Sequence, residues 1–263
     1  MTELEVALSF VIPAYNEENS IEYSLGMLDK VVKDKRLPYE IIVVNDGSKD
    51  ETLRRAVKYA SRNGHVKVVS YDVNEGKGHA IKEGFMKTHG EIVVFADSDM
   101  EIDLSLVSSY VEALRHGDIV IASKWHPESV VEMPLLRRLF SHSFNVLVRL
   151  LTGVNLNDTQ AGLKAVRKSA FNKVFPRLAV KRYAFDVELL AVAHLYGLRI
   201  VEMPVKLKMN ASFKLKEIWH MLLDLLGITY RLRLIRWYQR PNPSRNGLQN
   251  MVSIVLREKV CEA

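Results

Sequence analysis

EIVVFADSDM, residues 91–100, sets a continuous apolar run against two carboxylates, Asp97 and Asp99, with further acids at Glu101 and Asp103. An unpaired buried carboxylate is costly, so acids that close a buried strand mark a surface, a cation or a metal. The same grammar recurs around this stretch. ALSFVIPAY (7–15), EIIVVND (40–46), VKVVSYD (66–72) and DIVIAS (118–123) are short β-branched runs that end in polar residues. Between them lie amphipathic segments at Ser20–Lys33 and Asp50–Arg62. Alternation of this kind predicts an α/β fold with a parallel sheet covered by helices, since uniformly apolar strands need both faces buried. Ligands bind such sheets beyond the carboxyl ends of the strands. Those ends carry Tyr15, Asn16 and Glu17, then Asn45, Asp46 and Gly47, then Asp97 and Asp99. The acids are expected at a ligand cleft.

The first strand leads into VIPAYNEENS, without the glycines of a dinucleotide fingerprint, and no phosphate-loop pattern follows. The one glycine-rich turn is NEGKGHAIKEG (74–84), where Gly76 and Gly78 flank Lys77 ahead of a helix; a bare turn and a phosphate cradle both fit it. Residues two apart at a strand end project the same way, with Cα atoms about 7 Å apart, so Asp97 and Asp99 can face one hydrated cation. Oxygen ligands without a Cys or His set favour Mg²⁺ or Mn²⁺ over Zn²⁺. The D-x-D spacing alone is common on surfaces and gains weight only from its place after the fourth strand. Asp103, ahead of LSLVSSYVEAL, reads as a helix-start acid.

Composition bounds the rest. With 263 residues and 48% hydrophobic content the chain can bury a large core. A formal charge of +6 admits nucleic acid, a phosphate-bearing substrate or an anionic membrane as partner without choosing among them. One cysteine, Cys261, excludes an intrachain disulfide and fits a reducing compartment. The acidic start MTELEV lacks the basic region of a signal peptide, and no stretch approaches roughly 18 uninterrupted apolar residues. The expectation is a protein on the cytoplasmic side, without a transmembrane span.

Together, FVIPAYNEE (10–18), VVNDGSKDET (43–52), NEGKGHAIKEG (74–84) and FADSDMEID (95–103) resemble the A-type-fold glycosyltransferases of family 2. SKW (123–125), PLLRRLFSHSFN (134–145), NDTQAGLKAVRKSAF (157–171), RYAFDVELLAVAHLYG (182–197), VEMPVKL (201–207) and SFKLKEIWHMLLDLL (212–226) resemble the dolichyl-phosphate sugar synthases within it, closer to the glucosyl than to the mannosyl members. The likeness runs from about Ser9 to Arg240. It implies a Rossmann-like, mostly parallel sheet with interfacial helices, and metal-dependent, inverting transfer of a hexose from a nucleotide-sugar to dolichyl or another polyprenyl phosphate. UDP-glucose is the first expected donor and GDP-mannose the second. It further implies that Pro13, Tyr15, Glu17 and Asp46 line the nucleobase and ribose pocket, that Lys77 lies on the nucleotide side, and that Asp97 and Asp99 hold the metal on the diphosphate. Glu101 stands where the family often has Gln, and is either a third ligand or a bystander.

A phosphate monoester has a second pKa of about 6 and is already an anionic nucleophile at neutral pH, so it needs cationic positioning more than a general base. By resemblance that grip falls to Lys124, Arg137 and Ser141, with Lys124 lacking the fork of the family's Arg; Arg138 is left unassigned. Asp158 and Gln160 are read as donor-sugar or acceptor contacts or as a turn, Arg182, Asp186 and Glu188 as cleft groups or helix-end ion pairs, and Lys214 as a partner of the leaving diphosphate. The histidines are scattered and give no catalytic signal.

Residues 133–154 and 215–240 are apolar over more than one helical face, broken by Arg and edged by Trp and Tyr. They are expected either to lie in a lipid interface, with Trp219, Leu222, Leu226 and Trp237 inserted and Arg231, Arg233 and Arg236 beside the headgroups, or to pack on each other or on a dimer partner. The chain thus divides into a catalytic domain at 1–212, including an interfacial helix at about 133–152, an amphipathic region at 213–240 and a tail at 241–263. A transferase acting on a polysaccharide and a non-catalytic nucleotide-sugar-binding module are the competing readings.

Overall fold

The computed structural model describes residues 7–33, 38–99, 101–209 and 215–240, with the backbone alone for 215–217. Lys214 and the tail at 241–263 lie outside them. The five apolar runs form β1 (Leu8–Ala14), β2 (Tyr39–Asp46), β3 (Val66–Tyr71), β4 (Ile92–Phe95) and β5 (Ile119–Ser123). Helices α1 (Ile21–Lys33), α2 (Thr52–Ala60), α3 (Lys77–Met86) and α4 (Val107–Ala113) connect them. The rest contributes β6 (Val130–Glu132), α5 (Leu135–Thr152), β7 (Lys164–Arg167), α6 (Lys168–Val174), α7 (Phe185–Leu195), β8 (Ile200–Pro204), β9 (Lys206–Lys208) and α8 (Leu215–Thr229). A π-helical turn, Tyr230–Leu234, extends α8.

The main sheet has the order β3-β2-β1-β4-β7-β5-β8, and β6 pairs with β9 in a separate ribbon. All neighbours in the main sheet are parallel except β7, which runs antiparallel between β4 and β5. That strand was not foreseen. KAVR is short and charged at both ends, and only its two flanking strands make it a strand.

Alternate residues of the apolar runs serve opposite cores. Phe10, Ile12, Ile41 and Val43 pack with Ile21, Leu25 and Leu28 of α1, while Val11, Ile42 and Val44 pack with Ala80, Ile81 and Phe85 of α3. Each such aliphatic or aromatic side chain, fully removed from water, contributes about 1.5–3 kcal/mol. Helix α7 is buried along most of its length, Asp186 and Glu188 included, as a helix apolar all round must be. The chain leaves β1 toward β2 on one side and returns to β4 on the other, so the carboxyl ends of β1 and β4 flank the switch point where such sheets bind ligands.

Among the described residues no helix is long and apolar enough to cross a membrane. Helices α5 and α8 pack on each other. Trp219 and Leu226 are exposed as expected, but Leu222 and Trp237 pack partly against the core, and Arg231 turns inward to Glu188 at 3.3 Å. The exposed apolar positions are instead Leu223, Tyr230 and Leu234, beside Leu135, Leu136, Leu139 and Leu150 of α5.

Candidate active site

The question posed by the D-S-D stretch is answered by its middle residue. Ser98 faces inward, its hydroxyl donating to the Pro13 carbonyl at 3.0 Å, while its own carbonyl accepts from Ser24 at 2.8 Å. With the serine pinned between β1 and α1, the acids on either side face the cleft. Asp97 is half-buried and Asp99 exposed at its mouth. Although the residue as a whole is open to solvent, its carboxyl group is hemmed in by protein atoms, and this desolvation first, then the Asp97 carboxylate, pushes it up to about 6.

Lysine 77 answers Asp97. Its Nζ lies 2.7 Å from Asp97 Oδ1 and 3.5 Å from Asp186 Oδ2, and these acids, Asp186 first, raise its pKa against the opposing effect of burial. It starts α3 after Gly76, whose φ of +103° suits glycine and whose Cβ would strike the Lys181 carbonyl at 2.7 Å. The turn is held by Asp46, which is buried and accepts from the side chain of Asn74 (2.9 Å) and from the backbone N–H groups of Glu75 (2.8 Å) and Gly76 (2.9 Å). Both Asp46 oxygens are therefore occupied by protein donors, an arrangement that builds the pocket wall.

The loops after β1 and β2 are tied together. Asn16, at φ +56°, donates from its backbone to Ser48 and accepts from the Lys49 N–H, and the Glu17 N–H donates to Thr52 at 2.7 Å. Tyr15 is thereby left exposed beside the cleft, Pro13 is buried in β1, and Glu17 is half-buried, its carboxyl pushed up chiefly by burial.

Two of the cations expected at the acceptor end are paired with acids of the protein. Lys124 and Asp158 form a buried pair at 2.6 Å, and Asp158 also accepts from the backbone N–H groups of Lys124 and Gln160. Against burial, Lys124 keeps the Asp158 pKa low. Arg137 lies 3.3 Å from Glu101, and Ser141 follows one turn along α5. Arg138 lines a pocket of about 270 Å³ with Lys124, Trp125, His126 and Ser129, its guanidinium 5.6 Å above the Trp125 ring. Sequence reading passed over Arg138; its i, i+4 partner His142, which also meets Trp125, was the available signal.

Asp103 caps the 3-10 turn Leu104–Leu106, accepting from Ser105, as its position suggested. Among the described residues no group of three or more His, Cys, Asp or Glu gathers as a metal cage. The donors near the cleft are the Asp97 and Asp99 carboxylates, with the Glu101 side chain directed at Arg137. Two hard oxygen groups pressed together suit a divalent cation that takes its other ligands from water and phosphate.

Residues 9–175 match the model of glycosyl transferase family 2. The chain is 34% identical over 249 residues to the human dolichyl-phosphate beta-glucosyltransferase, an alignment covering 88% of this chain and 77% of that one. It is 31% identical over 252 residues to glycosyltransferase AglD of Haloferax volcanii, covering 93% of this chain and 39% of that protein. Among solved structures, a glucosyl-3-phosphoglycerate synthase from Mycobacterium tuberculosis aligns with a TM-score of 0.64 at 22% identity, over 85% of this chain and 78% of that one, a likeness of fold. The sheet order, the strand-end acids and this match over most of the length agree: the chain belongs to glycosyltransferase family 2 and is a glycosyltransferase.

Proposed function

We propose that the protein transfers glucose from UDP-glucose to the phosphate of a polyprenyl phosphate such as dolichyl phosphate, with inversion, at the cytoplasmic face of a membrane. The observation that carries this reading is the 34% identity to the human dolichyl-phosphate beta-glucosyltransferase across 77% of that protein. Tyr15 offers the nucleobase an aromatic face, and Pro13, Glu17 and the Asp46-held turn shape the rest of the nucleoside pocket. Asp97 and Asp99 would hold a divalent cation, Mg²⁺ or Mn²⁺; the fold relative from M. tuberculosis was crystallised with Mn²⁺ and UDP-glucose. A cation held there would supply charge neutralisation to the departing diphosphate. Lys77, held between Asp97 and Asp186, adds a fixed positive charge on the same side.

The acceptor phosphate is itself the nucleophile, so this end of the site needs cations and exclusion of water. Arg137, Ser141 and the pocket of Lys124 and Arg138 lie on or beside the amino-terminal part of α5 and form that end; Gln160 lies on the loop that Asp158 orders. Lys214 is assigned to the leaving diphosphate on resemblance alone. The catalytic unit is 1–212, with 213–240 as its amphipathic extension.

The test is a donor screen with radiolabelled UDP-glucose and GDP-mannose against dolichyl phosphate, with and without EDTA. Chelator-sensitive transfer of glucose to lipid phosphate is the expected result. Lipid-linked mannose from GDP-mannose would replace the donor assignment, and transfer only to a soluble glycan would overturn the acceptor.

A further inference from the structure

Lysine 164 is a charged residue in the middle of a seven-stranded sheet. In β7 it pairs with Phe95 of β4 on one side and Ile121 of β5 on the other, and only 1% of it is exposed. A buried lysine is rare without partners, and a well-packed apolar residue serves stability as well as a buried ion pair does. Its two contacts show what it does. Nζ lies 2.9 Å from Asp186 Oδ1 and donates to the Ala161 carbonyl at 2.6 Å.

Each contact leads to Asp97 by a separate route. Through Asp186, which is 4% exposed, it reaches Lys77 at 3.5 Å and from there Asp97 at 2.7 Å. Through Ala161 it fixes Gly162, which stands so close that a Cβ there would lie 2.0 Å from Asp97 Oδ2. The first route pulls the carboxylate by charge; the second blocks it by contact. Neither could be inferred from spacing, because Asp186 lies 22 residues and Asp97 67 residues from Lys164, and the two routes converge on Asp97 only when β7 slots beside β4.

We propose that Lys164 is the positioning residue for the donor-side carboxylate: with Asp186 and the Ala161–Gly162 turn it sets the place of Asp97 so that a divalent cation and a nucleoside diphosphate bind together. This rests on the reading of Asp97 and Asp99 as cation ligands. Asp186 also pairs with Lys77, so that Lys77 would keep a carboxylate partner if Asp97 were engaged by a cation.

The experiment uses the full chain, Mn²⁺ and UDP as probes. Mn²⁺ binding is followed by the EPR signal of the free ion with and without UDP, UDP binding by calorimetry in the presence of EDTA, and folding by circular dichroism. The double variant Lys164→Met/Asp186→Asn removes the buried pair as a neutral unit. It is expected to fold and to lose about tenfold or more of its Mn²⁺ affinity in the presence of UDP, as loss of a ligand-orienting partner does elsewhere, and this loss exceeds that of UDP binding in EDTA, where the change is that Lys77 loses one of its two carboxylate partners. Gly162→Ala, which alters no charge, is expected to show the same pattern by displacing Asp97. Mn²⁺ affinity within about twofold of wild type in a folded variant of either kind would overturn the proposal. Equal losses of Mn²⁺ and EDTA-resistant UDP binding would overturn it too, by showing a general collapse of the site. Wild-type protein that binds UDP but no Mn²⁺ would overturn the metal reading itself, and is told apart because it needs no variant.

Discussion

Asp99 is a side chain whose substitution separates chemistry from folding. It stands exposed to solvent, and its carboxylate accepts the Glu101 N–H at 3.1 Å, a bond that an asparagine oxygen can also accept. Asp99→Asn should therefore leave the melting temperature of the donor-free protein unchanged or slightly higher, since it relieves the crowding with Asp97. Transfer should fall by about two orders of magnitude, the scale of losing several kcal/mol of charge stabilisation at a diphosphate. Initial rates at saturating Mn²⁺ measure this, and a near-wild-type rate would remove Asp99 from the cation site. At this scale the sequence was readable where chemistry follows position. Asp97, Asp99, Lys77 and Asp46 all sit at strand ends or the glycine turn and could be found from the strand pattern. Lys164 could not, and Glu188, read as a cleft group or a helix-end ion pair, could not be given its partners: each is a charge inside an apolar-looking segment, and what makes it tolerable is a partner far along the chain. Glu188 accepts from Ala179, Val180, Tyr238 and Arg231, the last two 50 and 43 residues on.

Strands β1 and β2 meet the loop before β4 through one buried carboxylate. Glu40 of β2 accepts from Ser9 of β1 at 2.8 Å and from the His89 N–H at 2.6 Å, and pairs with Lys67 of β3 at 3.0 Å. Burial alone would raise its pKa, but the His89 N–H, Ser9 and Lys67 outweigh it and bring the carboxyl down to about 2 from 4.5. Because the folded value is the lower one, the stabilisation is fully present above pH 4.5 and is lost as pH falls from 4.5 towards 2, and it amounts to no more than roughly 3 kcal/mol. Glu40→Gln should thus lower the urea midpoint at pH 7 and have little effect near pH 2.5; a deficit independent of pH would refute the assignment. The elements themselves were legible to different degrees. β1 to β5, α1 and α2 follow from apolar period and turn residues, since each buries a face large enough to decide its own conformation. β7 and the β6–β9 ribbon are three or four residues long, and their pairing partners decide them.

Across the whole molecule the exposed apolar surface of α5, α8 and the π-turn has a common rim of arginines. Leu135 is 82% exposed, Trp219 62% and Leu234 74%, while Arg138, Arg149, Arg233 and Arg236 are exposed along the same elements. The carboxy-terminal part of this surface is not a loose appendage, because Arg231 and Tyr238 bind the buried Glu188 of α7 and Arg233 reaches the Leu150 carbonyl of α5. A preformed apolar face avoids most of the ordering cost of an unfolded anchor. Each buried CH₂ then contributes about 0.8 kcal/mol and each basic group near an anionic surface about 1 kcal/mol. Several leucines, one tryptophan and three or four arginines are enough for reversible attachment without a span. The protein should co-sediment with liposomes containing anionic lipid at low salt, be partly released by 0.5 M salt as the Debye length shrinks to about 4 Å, and be released fully by detergent. Leu223→Ser/Leu226→Ser/Leu234→Ser should weaken sedimentation at every salt concentration and leave UDP binding intact, because these side chains lie outside the core and away from the β1–β4 switch point. Full sedimentation by the triple variant would place the lipid contact elsewhere. No sedimentation by the wild type, together with a concentration-dependent dimer in solution, would give this face to a second copy of the chain.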